Sequence, residues 1–390
     1  MKKSVDKIDR KNGHKNIVLL GGSSFFNDVG SEMITPILPF YVTALGGTGI
    51  AVGALSGLRE GLSSLFKIIG GWFSDVKGKR KIFVFLGYLF SIISRFLLVL
   101  ASTWQSILAF ISLERFGKLR DPPRDAIITQ STHHRGKWFG IHQMMDTSGA
   151  IIGTILVLLL FWKLNLEFKQ IILVAAIISA FSLIPLIFVK ETKTKKIKKD
   201  LFKGIKKLNK KLKYFVFVSS VFVLGNFGLY MFMLLLAKQV TDSTIIPFAL
   251  YIIFNLFFAF FVIPFGKLSD KIGRKKTLLI GYTLFLGTGL FLLLCKNLIC
   301  LIILFAIYGI VYAITNSNSK ALVSDLSEEM KGTAMGFYHS ITGLVNIPAG
   351  IIAGILWDIN AKTMFWYISA VAFVSIILLF FVKENGEFRR

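Results

Sequence analysis

The sequence contains few of the residues on which soluble enzymes and disulfide-rich domains depend. Its 390 residues include two cysteines and five histidines, and charged residues make up 17% of the chain, against about 25% in an average soluble protein. Cys295 and Cys300 lie around one short loop, without a Cys-x-x-Cys pair or a His/Cys cluster, so no metal or redox motif is predicted. We interpret both cysteines as apolar filler; a disulfide between them is the alternative.

Motifs of membrane-embedded enzymes are also missing. The chain has no His-Glu-x-x-His, no Gly-x-Gly-Asp and no phosphate-binding glycine loop, each of which places a reactive group at a required spacing. We therefore predict that the protein is not an enzyme and that it carries no cofactor.

Apolar residues are abundant. They make up 54% of the chain, with 38 phenylalanines, and several runs exceed the ~20 residues that a helix needs to cross a bilayer. The first run begins at Ile17 without an A-x-A-like cleavage site, so we expect a retained helix and not a signal peptide. The predicted fold is an all-α polytopic membrane protein with twelve helices in two halves. The predicted spans are 17–43, 48–73, 81–101, 104–128, 137–162, 168–190, 214–240, 245–268, 277–296, 298–320, 332–356 and 362–383.

Basic residues outnumber acidic ones, 46 to 21, for a formal net charge of +25. On a soluble protein this excess would indicate nucleic acid, but here the clusters alternate with apolar spans. The loops 43–49, 101–105 and 242–246 carry almost no Lys or Arg. This alternation predicts a cell-membrane protein with both termini in the cytoplasm, in contact with anionic lipid of the inner leaflet and not with nucleic acid. The oligomeric state is left open.

The chain divides into a tail at 1–16, a half at 17–190, a basic linker at 191–213, a second half at 214–383 and a tail at 384–390. Leucine and isoleucine recur at helical spacing within the lysine-rich linker, which favours an amphipathic helix on the membrane surface. A regulatory switch is the functional alternative, and it is weaker because long basic central loops can be merely solvated connectors.

One loop pattern occurs twice, half a chain apart. The first copy is Gly71-Trp-Phe-Ser-Asp-Val-Lys-Gly-Lys-Arg-Lys81, and the second is Gly266-Lys-Leu-Ser-Asp-Lys-Ile-Gly-Arg-Lys-Lys276. A second repeat, Arg135–His142 and Lys331–Tyr338, recurs at nearly the same offset. The loop pattern resembles the loop 2–3 motif of the major facilitator superfamily of secondary transporters, whose two halves are related by an axis along the membrane normal.

The resemblance implies roles for the residues of the loop pattern. Asp75 and Asp270 would stabilise the outward-facing state by approaching helix starts near Gly332 and Gly136, where the helix dipole is positive. The remaining motif residues would permit close helix approach or add charge-assisted bonds. They are Gly71, Gly78, Arg80, Gly266, Gly273 and Arg274.

Charges inside the predicted spans need a reason, because each costs at least ~2.5–3.5 kcal/mol at the bilayer centre. Asp28 lies about 16 Å into the first helix, and Glu32 follows one turn later on the same face. Two carboxylates so placed repel each other where water is scarce and are predicted to titrate as a coupled pair, and a carboxylate that takes up a proton is what a proton-coupled carrier needs. Pro36 and Pro39 are expected to bend the outer end of this helix.

Further charges extend this set. Arg115 resembles the helix-4 arginine that is linked to proton coupling in facilitator-type antiporters, and Asp146 lies about 14 Å into helix 5. The Gly149/Gly153 pair beside it favours close helix packing, with a direction-specific role as the alternative. Arg120, Arg124 and Asp125 are candidates for an inner gate.

Other buried polar residues have two interpretations. Arg59, Glu60, Lys67 and Arg95 are interpreted first as ion pairs that hold the bundle together. Substrate contact is the alternative for Arg59 and Glu60. The second half contributes candidates for a mostly apolar substrate cavity: Asn226, Tyr230, Asn255 and Asn316.

These observations predict a secondary transporter that exports a small organic molecule by alternating access, driven by a proton gradient. The alternatives are a symporter or uniporter for a nutrient or metabolite on the same fold, and a sensor or lipid-handling protein without transport. Fold does not determine the substrate.

Overall fold

The structure, a computed structural model, describes residues 2–132, 135–191, 208–327 and 331–383. Side chains are described within these ranges except at 2–12, 75, 135–137 and 331–332. Every regular element in the described ranges is a helix, because an apolar chain in a bilayer must satisfy its own backbone hydrogen bonds. The predicted amphipathic helix of the linker falls almost entirely outside the described residues.

The helices of the first half follow the six predicted spans. They are α1 (Lys2–Ile34), α2 (Leu38–Ala44), α3 (Gly49–Lys77), α4 (Lys81–Val99), α5 (Trp104–Phe116), a 3₁₀ turn (Gly117–Arg120), α6 (Asp121–Ser131), α7 (Arg135–Leu164), α8 (Phe168–Ala180) and α9 (Leu183–Phe188). The break between α1 and α2 confirms the predicted bend, since Pro36 has no N–H to continue the helix.

The second half follows the other six spans. Its helices are α10 (Lys210–Gly225), α11 (Tyr230–Thr241), α12 (Ile246–Ile272), α13 (Arg274–Leu292), α14 (Leu298–Leu326), α15 (Lys331–Ile359) and α16 (Ala361–Phe380). Cys295, in the loop that joins α13 to α14, forms a disulfide with Cys300 in the first turn of α14. The interpretation of these cysteines as apolar filler is therefore wrong, and the alternative holds.

Eight segments of the described chain are long and apolar enough to cross a membrane. They are Lys81–Val99, Trp138–Leu164, Phe168–Phe188, Lys210–Thr241, Ile246–Ile272, Leu298–Leu326, Thr333–Ile359 and Ala361–Phe380. The other predicted spans correspond to α1, α3, α5 with α6, and α13. The first three contain several charged residues, whereas α13 carries its charges at its start, in Arg274, Lys275 and Lys276. The chain is therefore a polytopic membrane protein whose charges are concentrated in a few helices.

The helices group into two compact units. Unit 1 comprises residues 1–41 and 62–199, and unit 2 comprises 42–61 and 200–390. In unit 1, α1 packs along α7 and α8, and α4 packs against α5 and α8. In unit 2, α12 and α13 pack against α14, while α10 packs against α15 and α16.

Residues 42–61 belong to the first half of the chain but pack with unit 2. A Cβ on Gly53 would lie 2.0 Å from the carbonyl oxygen of Gly350, so the backbones of α3 and α15 meet directly there. Asp358, at the end of α15, accepts hydrogen bonds from the backbone N–H groups of Gly49 at 2.6 Å and Ile50 at 3.0 Å. A carboxylate in this position satisfies the unpaired N–H groups and the positive dipole of a helix N-terminus.

Close packing also joins α1 to α7 in unit 1. A Cβ on Gly149 would lie 2.5 Å from the Phe25 carbonyl oxygen, and one on Gly153 would lie 2.3 Å from that of Val29. Neither glycine can be replaced without moving a backbone, as the packing interpretation predicts. This close crossing holds the charged face of α1 against α7.

Candidate functional site

A buried ion-paired group joins α4 to α5 in unit 1, and we call it the Glu114 cluster. Glu114 accepts from Arg95 at 2.9 Å and from Arg115 at 2.5 Å, and all three side chains are at most 8% exposed. Arg95 also donates to the Asn27 carbonyl at 3.1 Å and to the Ser179 hydroxyl at 2.5 Å. The structure thus pairs Arg115, a candidate for proton coupling, with its neighbour on the same helix, and it places Arg95 in a structural pair.

A second group surrounds Asp121, where the 3₁₀ turn meets α6. Four cations lie within 4.0 Å of this carboxylate: Lys67 at 3.4 Å, Arg124 at 3.7 Å, Arg120 at 3.8 Å and Lys118 at 4.0 Å. Three of the four cations belong to the turn or to the start of α6, within three residues of Asp121 in the sequence. Lys67 on α3 pairs here with Asp121, which the sequence did not predict.

Arg124 connects this group to the interior of unit 1. It forms an ion pair with Asp125 at 3.1 Å and donates to the Ser24 hydroxyl at 3.2 Å. The same hydroxyl lies 2.9 Å from the Tyr88 hydroxyl and 3.1 Å from His142 Nε2. Residues of α1, α4, α6 and α7 therefore share one hydrogen-bond network. Sequence reasoning missed Ser24, Tyr88 and His142, although His142 closes the first copy of the second repeat.

Arg120 is the most deeply buried of the predicted gate residues. Its guanidinium lies 4.4 Å from the centroid of the Tyr88 ring, within the range of a cation–π contact. It also donates to the Ser91 hydroxyl at 2.9 Å. The structure therefore brings Arg120, Arg124 and Asp125 into one cluster around Asp121 and Tyr88.

Two carboxyl groups meet where α1 crosses α7. The carboxyl groups of Asp28 and Asp146 lie close enough to interact electrostatically, and the Asn27 amide donates to Asp28 at 2.9 Å. Two carboxylates repel each other where water is scarce, and a hydrogen bond between them forms only when one of them carries a proton. Sequence reasoning placed Asp28 with Glu32 on its own helix, whereas the structure brings Asp28 to Asp146.

Aromatic rings form a cluster around Phe254 in unit 2. Their centroids lie 5.4 Å (Tyr308), 5.7 Å (Tyr312), 5.8 Å (Tyr251) and 6.3 Å (Tyr230) from that of Phe254. Of these tyrosines the sequence singled out Tyr230 alone. The signal for two others was their spacing, since Tyr308 and Tyr312 lie one turn apart on α14 and share a face.

The predicted asparagines lie around the same helices. Asn226 ends α10 and accepts from the Tyr308 hydroxyl at 2.7 Å. The amide nitrogen of Asn255 is buried and has no hydrogen-bond partner in the described part of the chain. Asn316, one turn after Tyr312, is half-buried. Polar groups thus interrupt an otherwise aromatic surface, as in many small-molecule sites.

Arg59 and Glu60 differ in their environment on α3. Arg59 is buried, whereas Glu60 is exposed in the middle of the helix. Glu60 is near enough to Tyr308 to influence it electrostatically. The structure therefore associates Glu60 with the aromatic cluster of unit 2.

Among the residues described, no group of three or more His, Cys, Asp or Glu side chains could hold a metal ion.

The two copies of the loop pattern end their helices in the same way. Gly78 follows α3 with φ of 66°, and Gly273 follows α12 with φ of 98°. The N–H group of Gly78 donates to the backbone carbonyl oxygen of Ser74, and that of Gly273 donates to the backbone carbonyl oxygen of Ser269, each four residues earlier. These positions require glycine because a Cβ strains a backbone of positive φ.

The charged residues of the pattern contact their own units. Arg274 pairs with Asp270 at 2.5 Å and with Asp325 at 3.3 Å. Arg80 is buried and donates to the Ala126 carbonyl at 3.3 Å. The side chain of Asp75 and the side chains at the helix starts near Gly136 and Gly332 are not described, so the predicted charge–dipole contacts stay predictions.

The first glycine of the pattern is predicted to permit close helix approach, and the two copies differ in this. A Cβ on Gly71 would lie 3.3 Å from Pro122, and one on Gly266 would meet no described atom within 4 Å. The tight contact belongs instead to Gly70, where a Cβ would lie 2.0 Å from the Leu119 carbonyl oxygen.

Comparison with known proteins places these features in a family. The model of the Major Facilitator Superfamily matches residues 20–249 and 215–389. An uncharacterised MFS-type transporter of Methanocaldococcus jannaschii is 47% identical over 382 residues, covering 94% of this chain and 95% of its own. The multidrug resistance protein MdtH of Sodalis glossinidius is 23% identical, covering 90% of this chain and 89% of its own.

Solved structures share the fold at low sequence identity. The nucleoside transporter NupG has a TM-score of 0.74 at 16% identity, covering 94% of this chain and 97% of its own. A POT family transporter in complex with 5-aminolevulinic acid has a TM-score of 0.79 at 15% identity, covering 94% of this chain and 96% of its own.

Proposed function

This chain belongs to the Major Facilitator Superfamily and is a membrane transporter, and from that premise we propose that it exports a small organic molecule in exchange for protons. The observation that carries the proposal is the position of the Asp28 carboxyl group near that of Asp146, where α1 crosses α7, and we propose that the pair shares one proton. A carboxyl pair that shares one proton is a site where a proton can be taken up and released during a transport cycle.

The surroundings of the pair supply charges that respond to its protonation. Lys118 and Arg120 act electrostatically on Asp28, and Arg124 interacts with Asp146. Loss of the shared proton would leave two carboxylates facing each other, a repulsion that is large where water is scarce. The nearby cations would then be attracted to the pair. We propose that this change in pairing alters the balance between the inward-facing and outward-facing states.

The aromatic cluster of unit 2 supports a small organic substrate. Its tyrosine rings present flat apolar faces, and the Asn255 amide and the Glu60 carboxylate add polar groups. Ligand pockets of this kind favour amphipathic or aromatic molecules. The similarity to a multidrug resistance protein supports export over uptake.

We further propose the cell membrane as the location, with both termini in the cytoplasm. The support is the concentration of lysine and arginine in the segments 77–81, 190–213 and 267–276. Positively charged loops are retained on the cytoplasmic side.

Proton flux in proteoliposomes with a preset pH gradient tests the proposal. A panel of cationic, neutral and anionic compounds is added to the wild type and to Asp28→Asn, Asp146→Asn and Asp242→Asn. Asp242 is the matched control, because it ends α11 outside the charged network. We expect a substrate to dissipate the gradient through the wild type and the control, but not through the other two variants.

Exchange of labelled for unlabelled substrate, measured without a gradient, separates coupling from folding. We expect exchange to persist in Asp28→Asn and Asp146→Asn. Proton flux that persists in both variants would refute the assigned coupling site. Substrate that moves in the same direction as the protons would establish a symporter instead.

A further inference from the structure

A basic pocket opens at the end of unit 2 where α10 and α13 begin and α16 ends. It has a volume of 680 Å³ and is lined by Lys211, Lys275, Lys276, Leu279, Phe380, Val382 and Lys383. The lining thus combines four lysines with three apolar residues. No acidic side chain contributes to it among the residues that the structure describes.

The positive charge of the pocket has two sources. Lys211 lies in the first turn of α10, and Lys275 and Lys276 lie in the first turn of α13. Helix N-termini carry a partial positive charge of their own, so the lysines there increase a positive charge that is already present. Such an arrangement attracts an anion, and exposed N–H groups at helix starts are suited to bind phosphate.

The walls of the pocket are held in place by contacts between its helices. Lys275 Nζ donates to the carbonyl oxygen of Phe380 at 2.6 Å. One turn further along α10, the Tyr214 hydroxyl donates to the Leu378 carbonyl at 3.1 Å. The start of α10, the start of α13 and the end of α16 therefore form one surface.

The pocket lies at the ends of two helical segments that could cross a membrane. The segments Lys210–Thr241 and Ala361–Phe380 are both long and apolar enough to span a bilayer, and the pocket lies where one begins and the other ends. Phe380 is 60% exposed and Leu279 lies one turn deeper along α13. An anion bound here would therefore have lysines around its head and apolar side chains beneath it.

We propose that this pocket binds the phosphate of an anionic membrane phospholipid, with the start of an acyl chain against Leu279 and Phe380. Basic pockets between transmembrane helices suit lipid phosphates because charge and apolar contact act together. The site is separate from the proposed proton pathway, which lies in unit 1.

Lipid binding to the purified full chain tests this proposal. Native mass spectrometry would measure retention of phosphatidylglycerol and phosphatidylcholine, with inorganic phosphate as a separate arm. The pocket variant is Lys275→Gln/Lys276→Gln/Lys383→Gln. The matched control is Lys210→Gln/Lys213→Gln/Lys271→Gln, which removes the same charge from helix ends outside the pocket lining.

We expect the pocket variant to bind phosphatidylglycerol at least about tenfold more weakly, and the control to change less than about threefold. A double variant, Lys276→Gln/Lys383→Gln, keeps the Lys275 contact with α16 and should still lose most of the binding. Equal losses in the two triple variants would overturn the site, since they would indicate diffuse attraction. If millimolar inorganic phosphate protected the protein from unfolding as well as phosphatidylglycerol does, the lipid assignment would be overturned.

Discussion

Replacing Glu114 with glutamine should strongly destabilise unit 1. Gln keeps the size of the side chain but removes the charge that faces Arg95 and Arg115, which are both at most 7% exposed. Removing one partner of a buried ion pair costs about 3–5 kcal/mol. If the 390-residue chain melts as one unit, this cost lowers the melting temperature by about 4–6 °C at ~2.1 cal/mol/K per residue.

Thermal unfolding of the detergent-solubilised protein, followed by tryptophan fluorescence, would measure this change. Asp242→Asn is the control, since it also removes one carboxylate charge but lies outside the helices. Adding Arg115→Gln to Glu114→Gln removes one of the uncompensated charges, so the double variant should recover part of the lost stability. A melting temperature of Glu114→Gln within about 1 °C of the wild type would refute the structural role of this cluster.

Two further predictions concern helix ends. Gly273→Ala should cost about 1–3 kcal/mol, because φ is 98° and ψ is 152° at that position and a Cβ is strained there. Gly266→Ala, in open space within α12, should instead leave the stability unchanged or raise it by about 0.5–1 kcal/mol. Thermal unfolding of the two variants measures the difference, and a Gly266→Ala variant less stable than Gly273→Ala would contradict this reasoning. Asp358→Asn should leave the cap on the start of α3 weaker by about 0.3–1 kcal/mol, measured as roughly two- to fivefold faster amide exchange in the first turn of α3 than in Asp242→Asn. Unchanged exchange would mean that the carboxylate charge does not stabilise this helix start.

The positions of the helices could be predicted because they depend on local patterns. Apolar runs of bilayer length must form helices whatever their neighbours are, and α12 was predicted to within a few residues. The break after α1 follows from Pro36 in the same way. The repeated loop pattern predicted two similar halves. The second glycine of the pattern has a local cause, since Gly78 and Gly273 each follow the end of a helix with positive φ.

Pairing between helices could not be predicted from these patterns. The sequence places Asp28 one turn from Glu32, but the crossing of α1 and α7 places it beside Asp146. Lys67 on α3 similarly forms an ion pair with Asp121 on α6. The disulfide between Cys295 and Cys300 depends on how tightly the loop between α13 and α14 turns, which spacing alone leaves open.

The sequence by itself determined the class of the molecule, its helices, its internal repeat and the set of charges that lie within the membrane. Composition and periodicity are properties of a single segment, so they can be interpreted without knowing what packs against it. Only the tertiary structure decided which charges meet. Glu114 joins two arginines, and Ser24 joins Arg124 to Tyr88, because helix crossing angles and close glycine contacts determine which faces touch.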